Sequence, residues 1–165
     1  MPADALVLRY LAAFGPASVA DVQAWSGLTR LREVVERLPV RAFRGHAGQV
    51  LYDLPDAPRP AEDSPAPPRF LPEYDNLLLS HADRTRVIAD SHRALVFMKG
   101  AVLVDGLVSG VWKVVRKRRV ATLVIDPFRP LEKKEREALC EEGRCLLTFI
   151  APDADSYDVQ YTPFT

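Results

Sequence analysis

Acidic and imidazole side chains are concentrated between residues 69 and 86, where they could support general acid–base chemistry. Within RFLPEYDNLLLSHADRTR, Glu73 or Asp75 could act as a general base, with His81 or an arginine as its partner. The same residues also have a structural interpretation, with an Asx turn at Asp75 and a helix cap at Ser80. We favour the structural interpretation, because the sequence offers no third group that converges on this set.

A second concentration of charge, Lys113 followed by Arg116–Arg119, could bind an anion. The 165-residue chain has a net charge of zero, but residues 84–119 hold nine lysines and arginines and only two acidic residues. Like charges packed at one corner of a sheet repel one another unless an anion or water screens them. A phosphate backbone would supply that anion, so we predict that these residues contact nucleic acid.

Two successive hairpins are predicted to position these cations. Short apolar runs flank Asp105-Gly106, a pair that supports the positive φ angles of a two-residue hairpin turn. The basic stretch then forms the next turn, between the strands Leu107–Val115 and Arg119–Ile125. Gly110 is expected at a bulge or at a close approach between backbones.

Residues 94–161 also contain patterns that predict further strands and one helix. Pro130 suits the first turn of a helix that runs to Glu142, with Gly143 after its end. The other expected strands are Ala94–Met98, Ala101–Val104, Leu146–Ile150 and Tyr157–Tyr161. About six strands with one helix predict a small antiparallel β-barrel-like domain, a form that protects strand edges.

The first 54 residues predict three helices and a hairpin. The helices cover Asp4–Phe14, a short segment from a Ser18 cap to Gly27, and a segment that begins near Thr29 and ends before Pro39. Strand-like residues 40–43 and 49–54 then flank a loop with two glycines. Such a unit is a winged helix with a helix-turn-helix, whose third helix commonly enters the major groove.

The expected class is therefore α+β, with a winged helix over 1–54, a linker over 55–68 and the β domain over 69–165. The linker holds six of the fourteen prolines and too few large apolar residues for a core. No apolar run approaches the roughly 20 residues of a membrane helix. Cys140 and Cys145 have no partner at zinc-ligand spacing. We predict a cytoplasmic protein with reduced thiols, no metal, no cofactor and no membrane contact.

Three segments together resemble a known protein family. They are RYLAAFGPASVADVQAWSGL, RFLPEYDNLLLSHADRTR and AVLVDGLVSGVWKV. In that order they are similar to the C-terminal half of bacterial winged-helix proteins that include DNA glycosylases unhooking interstrand crosslinks. The resemblance covers nearly all of residues 10–165 and implies a DNA-binding scaffold for repair, in which the first domain is the last of several tandem winged helices.

The chain departs from this family at the catalytic element. The resemblance implies a Gln-aliphatic-Gln or Gln-aliphatic-Asp triplet in the first winged helix, but Gln23, Gln49 and Gln160 all lie outside such a triplet. We therefore carry over no catalytic residue. The N-terminal winged-helix region of the family is expected to be missing and is a possible partner.

We predict a DNA-binding fragment that grips the phosphates of intact or damaged duplex DNA with weak sequence specificity. One alternative is part of an active glycosylase for alkylated or crosslinked bases, whose catalytic N-terminal half is missing here. The other is a protein-interaction module without DNA binding. We expect the cytoplasmic protein to be nucleoid-associated. The expected DNA contacts are basic residues of the third helix, the wing, the segment near the polar cluster and the second hairpin: Arg30, Arg32, Arg37, Arg44, His46, Arg84, Arg86, Lys113, Arg116, Lys117, Arg118 and Arg119.

Overall fold

The computed structural model describes residues 2–164, so the two ends of the predicted domains, Met1 and Thr165, lie outside the described residues. Contacts divide the chain into two compact units. Unit 1 contains the residues through Ser64 together with Asn76–Arg84, and unit 2 contains Pro65–Asp75 together with the residues from Thr85 onward. The whole is a mixed α+β fold.

Unit 1 begins with three helices, α1 (Ala3–Phe14), α2 (Val19–Ser26) and α3 (Arg32–Arg37). The predicted cap of α2 is confirmed: Asp21 N donates to Ser18 Oγ at 3.2 Å, and Ser18 N donates to Asp21 Oδ2 at 2.8 Å. Gly27 ends the helix in the left-handed conformation. The third helix is shorter than its apolar spacing predicts, because it begins after Leu31 rather than near Thr29.

A two-stranded antiparallel sheet follows, formed by β1 (Arg41–Arg44) and β2 (Val50–Asp53). The core of unit 1 lies mainly between the helices and consists of fully buried apolar side chains. These are Val7, Tyr10, Leu11, Ala17, Val22, Leu31 and Val35.

Residues 76–84, which include the one-turn helix α4 (Asn76–Leu79), belong to unit 1 although the sequence analysis assigned them to the β domain. The reason is a set of specific hydrogen bonds. The hydroxyl of Tyr10 donates to Ser80 O at 2.7 Å, and the amides of Ala82 and Asp83 donate to Asp21 Oδ1 at 2.9 and 3.3 Å. The segment is thus fastened to α1 and α2 by buried polar groups.

Unit 2 is built on one five-stranded sheet in the order β3-β4-β5-β6-β7. The strands are β3 (Arg69–Leu71), β4 (Gly100–Val104), β5 (Leu107–Lys117), β6 (Val120–Pro127) and β7 (Ser156–Tyr161). The predicted turn at Asp105-Gly106 is confirmed, with φ angles of 51° and 74°. The irregularity expected at Gly110 is also present, because the β4–β5 register shifts beside it.

The expected antiparallel barrel is wrong in two respects. Strand β7 runs parallel to β6, and the order of the described strands is linear, with β3 and β7 at its ends. The cause is helix α5 (Lys133–Ile150), which connects β6 to β7 and carries the chain back to the same end of the sheet. Ala94–Met98 is a series of turns rather than a strand, and Leu146–Ile150 is the last part of α5.

Helix α5 covers one face of the sheet and closes the core of unit 2. Gly143 was predicted to follow the end of this helix, but it lies inside it and is buried. A Cβ atom there would lie 2.7 Å from Leu123 Cδ2 and 3.4 Å from Val159 Cγ2. The glycine therefore allows the helix to approach the sheet closely. Around it pack Val102, Val104, Ala121, Leu123, Ile125, Leu139, Leu147 and Ala151.

Candidate nucleic-acid interface

The predicted basic hairpin is present, and its tip is a two-residue turn. Lys117 pairs with Val120, which leaves Arg118 and Arg119 as the turn residues, and Arg118 has a φ of 54°. A positive φ at a non-glycine residue is uncommon and is typical of tight hairpin turns. Because β5 and β6 pair through eight residues on each strand, the tip extends from a regular ladder.

Alternation along the strands separates the hairpin cations onto two faces of the sheet. Lys113, Val115 and Lys117 share the face opposite to α5, together with Val120, Thr122 and Val124 of β6, which we call the open face. Val115 and Val120 retain 41% and 40% of their accessible surface. The open face therefore presents two lysines among exposed β-branched side chains.

Arg116 and Arg119 each form an ion pair with an acidic residue of the loop after α5. Arg116 Nη2 lies 2.7 Å from Asp153 Oδ1, and Arg119 Nε donates to Asp155 Oδ2. The backbone reinforces the second contact, because the amide of Asp155 donates to Arg119 O at 2.7 Å. The loop after α5 thus places two carboxylates against the hairpin tip.

These ion pairs shift the pKa values of Asp153 and Arg119 in the direction that favours the charged forms. The hydrogen bond from Arg116 lowers the pKa of Asp153 below its usual value. The hydrogen bond to Asp155 raises the pKa of Arg119. In contrast, Lys113, Lys117 and Arg118 have no carboxylate partner among residues 2–164. They are the hairpin cations available to an external anion.

The five basic residues predicted between residues 30 and 46 are all exposed, but their charges are mixed with acids. Arg32 lies 3.5 Å from Glu36 one turn along α3, and Arg37 forms an ion pair with Asp4 that raises the arginine pKa. Arg30 precedes α3 rather than lying on it, and it has a φ of 59°. Two further predicted contacts lie at the sheet, Arg44 at the end of β1 and His46 in the loop after it.

Arg84 and Arg86 belong to different units. Arg84 lies in unit 1, where its Nε donates to His81 O at 3.1 Å, and Arg86 lies in unit 2.

His81 has structural partners, as the favoured interpretation of the polar cluster requires. Its Nε2 lies 3.0 Å from Phe14 O, which can only accept, so Nε2 carries the proton. Its Nδ1 then accepts from Ser80 Oγ at 2.9 Å. With both ring nitrogens engaged, His81 fixes residues 76–84 to α1.

The sequence analysis missed the contacts of three acidic residues. Asp21 was read only as a cap, yet its buried carboxylate also holds two amides sixty residues away in the chain. Asp153 and Asp155 were not connected with the hairpin. The excess of acidic residues after residue 119 is a signal for a counter-charge, but it does not say which acids approach the tip.

No helix within residues 2–164 has the length and apolarity needed to cross a bilayer.

The two cysteines lie on α5 as free thiols, Cys140 half-buried and Cys145 exposed.

Comparisons with known proteins agree with this architecture. A family model described as DNA glycosylase AlkZ-like matches residues 2–149. An interstrand DNA cross-link repair glycosylase from Streptomyces sahachiroi is 28% identical over 155 residues, which cover 82% of this chain and 41% of that protein. The solved structure of the Streptomyces sahachiroi DNA glycosylase AlkZ superposes with a TM-score of 0.75 at 22% identity, over 96% of this chain and 45% of that one. The chain thus spans less than half the length of these relatives.

Proposed function

The chain belongs to the AlkZ-like DNA glycosylase family, and from that membership we propose that it is a DNA-binding module that grips duplex phosphates without reading base sequence. One observation carries the proposal most directly. Lys113, Lys117 and Arg118 project from a regular hairpin and have no carboxylate partner in the described part of the chain, whose full sequence has a net charge of zero. Phosphate contacts of this kind set affinity and orientation but carry no sequence information.

Unit 1 supplies a second part of the proposal. Three helices followed by β1 and β2 match the element order of a winged helix, with α3 as the helix that would face the major groove. The exposed Arg30, Arg44 and His46 would then contact phosphates. Glu33 and Glu36 on α3 oppose such contacts, so this unit is expected to contribute less affinity than the hairpin. The domain boundaries 1–54, 55–68 and 69–165 remain a prediction, to which the grouping of Asn76–Arg84 with unit 1 is an exception.

Binding of unrelated duplexes tests the proposal. We expect the purified chain to bind two fluorescein-labelled duplexes of different sequence with similar affinity, as measured by fluorescence anisotropy. Affinity should fall as salt rises from about 50 to about 200 mM, because bound phosphates release counterions. Absence of any anisotropy change at the lower salt concentration would contradict the proposal and favour a protein-interaction module.

Family membership favours a second candidate function, in which the chain is the non-catalytic part of an enzyme that excises alkylated or crosslinked bases. The catalytic glutamine triplet of the family has no counterpart here, so this function requires another polypeptide region. Incubation of the purified chain with an alkylated duplex, followed by cleavage of abasic sites, is expected to give no strand breaks. Strand breaks would show that this chain catalyses excision and would overturn the binding-only proposal.

Removal of the two carboxylates at the hairpin tip is expected to strengthen binding. In Asp153→Asn/Asp155→Asn, Arg116 and Arg119 lose their carboxylate partners and can contact phosphates instead. We expect affinity at low salt to rise only about threefold, because an exposed ion pair contributes little free energy. The slope of log K against log salt should steepen by up to about 1.8 as two further phosphates are contacted. Anisotropy titrations at several salt concentrations measure both.

The matched control is Asp56→Asn/Asp63→Asn, which changes net charge equally in an exposed segment away from the hairpin ladder. We expect this control to leave the slope unchanged. Equal effects of the two double variants would show that only net charge matters and that the loop after α5 does not compete with phosphates.

A further inference from the structure

We propose that a small cavity at the hairpin tip binds the terminal phosphate of a DNA strand end, an inference that rests on the proposed DNA binding and names the class of DNA that the hairpin prefers. The cavity has a volume of about 170 Å³ and lies between the turn of the hairpin and the loop after α5. Three arginines, one aspartate and two apolar residues line it: Arg116, Arg118, Arg119, Asp153, Val120 and Ala154.

The size of the cavity limits its ligand to a small group. Sites for drug-sized molecules occupy about 300–1,000 Å³, whereas one water molecule takes about 30 Å³ of the liquid. A cavity of about 170 Å³ therefore has room for a phosphate group and a few water molecules, but not for a whole nucleotide. The sugar and base of a bound strand end remain outside it.

The charge of the lining matches that of a phosphate monoester. Three guanidinium groups and the carboxylate of Asp153 give the cavity a net charge of +2. A phosphate monoester carries a charge of about −1.5 to −2 at pH 7 and has three acceptor oxygens. A phosphate within a DNA strand carries only one negative charge. The monoester therefore neutralises the cavity more completely than a phosphate within the strand.

The ion pairs at the tip hold two of the arginines in place and leave them with donors to spare. A guanidinium group has five N–H donors. Arg116 uses Nη2 for Asp153, and Arg119 uses Nε for Asp155. Arg118 has no carboxylate partner among residues 2–164. All three arginines can therefore donate to one phosphate, and such charge-assisted hydrogen bonds are the strong ones.

The shape of the site favours a strand end over a phosphate within the strand. A terminal phosphate is bonded to one sugar and can enter a cavity, whereas a phosphate within the strand is bonded to sugars on both sides. The amide of Asp155 donates to Arg119 O at 2.7 Å, so the loop after α5 is attached to the tip and closes one side of the cavity.

The surroundings of the cavity favour DNA as the source of the phosphate. Val120 both lines the cavity and belongs to the open face, which also carries Lys113 and Lys117. A strand whose end is bound in the cavity can therefore place its next phosphates against these two lysines. A free phosphate ion or a short phosphopeptide has no such continuation.

Binding of gapped DNA tests the proposal. Rhodamine-labelled dumbbell duplexes have closed ends, so that a gap of one nucleotide supplies the only strand ends. We expect a gap with a 5′-phosphate or a 3′-phosphate to bind about tenfold more tightly than the same gap with two hydroxyl ends, because the phosphate gains charge-assisted hydrogen bonds. Fluorescence anisotropy measures both affinities.

Arg118→Gln is the test variant, and Lys117→Gln is its control. Both remove one exposed positive charge from neighbouring residues, but Lys117 does not line the cavity. Arg118→Gln should reduce the preference for the phosphorylated gap to about twofold, since the unpaired guanidinium is lost. Lys117→Gln should weaken binding of all dumbbells and leave the preference unchanged. An equal loss of preference in both variants would show that charge alone decides it, and would overturn the cavity assignment.

The preference should also weaken at low pH, because the second pKa of a phosphate monoester is about 6. The hydrogen bond from Arg116 lowers the pKa of Asp153, and the hydrogen bond to Asp155 raises the pKa of Arg119, so both lining groups keep their charge from about pH 5 to pH 7.5. Lowering the pH from about 7.5 to about 5 should therefore reduce the preference to about threefold. A preference that does not change with pH would contradict recognition of the dianion.

The outcomes separate this proposal from the one on which it rests. If the closed dumbbell binds but phosphorylated and unphosphorylated gaps bind equally, the cavity assignment is overturned and phosphate binding stands. If no dumbbell binds, both proposals fall. Deoxyadenosine monophosphate should remove the preference only at millimolar concentration. Removal at the concentration at which gapped DNA binds would assign the cavity to free phosphate monoesters, and stronger competition by a phosphoserine peptide would assign it to a phosphorylated protein. Either result would overturn the assignment to DNA ends.

Discussion

Replacement of Asp21 by alanine is expected to lower the free energy of unfolding of unit 1 by about 3 kcal/mol or more. The carboxylate is 3% exposed and accepts hydrogen bonds from Ser18 on one oxygen and from the amides of Ala82 and Asp83 on the other. Loss of a helix cap costs about 1 kcal/mol, and each hydrogen bond from the amides of Ala82 and Asp83 to the charged carboxylate contributes about 1.5–3 kcal/mol. The variant should therefore lose both the start of α2 and the attachment of residues 76–84.

Hydrogen exchange at the amides of Ala82 and Asp83 checks the second part of this expectation. We expect exchange at both amides to accelerate in Asp21→Ala far more than exchange in α1, and urea denaturation to give the change in stability. Asp4→Ala is the control, since it removes a carboxylate whose ion pair with Arg37 is exposed and should cost at most about 1 kcal/mol. Unchanged protection of Ala82 and Asp83 in Asp21→Ala would show that other contacts hold the segment.

Elements whose boundaries are set by local chemistry could be predicted from the sequence. The Ser18–Asp21 capping box and Gly27 delimit α2, and the positive φ angles at Asp105-Gly106 fix the first hairpin of unit 2. The extent of β5 and β6 follows from alternation around a compact turn. In each case the residues that decide the structure are neighbours in the chain.

Elements decided by packing could not be predicted in the same way. Gly143 has the appearance of a helix terminator, but it is required because α5 lies against Leu123 and Val159. Once the helix continues, residues 146–150 extend it, although their composition is that of a strand. The parallel pairing of β7 follows from the crossover that this longer helix makes. The misread Gly143 therefore accounts for the wrong strand at residues 146–150 and for the parallel pairing that was not predicted.

For the candidate site, too, local features could be predicted from the sequence and long-range contacts could not. The cluster of cations is evident in the sequence, and the hairpin that carries it was predicted. The sequence does not show which of these cations form ion pairs. Asp153 and Asp155 lie more than thirty residues away along the chain and contact Arg116 and Arg119 only in the folded protein.

Reversal of the available hairpin charges has the largest expected effect on binding. In Lys117→Glu/Arg118→Glu, two exposed cations with no carboxylate partner among residues 2–164 become anions at the hairpin turn. Each lost phosphate contact removes about 0.9 from the slope of log K against log salt, so the slope should become shallower by about 1.8. When salt rises from about 50 to 200 mM, the variant should therefore lose about tenfold less affinity than the unaltered chain loses.

The salt slope of duplex binding by this variant, measured beside the unaltered chain, is the most direct test of the proposal that the hairpin grips DNA. Lys133→Glu/Lys134→Glu is the control, because it makes the same change of charge at the exposed start of α5. We predict that Lys117→Glu/Arg118→Glu flattens the slope by about two phosphate contacts and that the control does not. An equal slope for the unaltered chain and the hairpin variant would contradict the account.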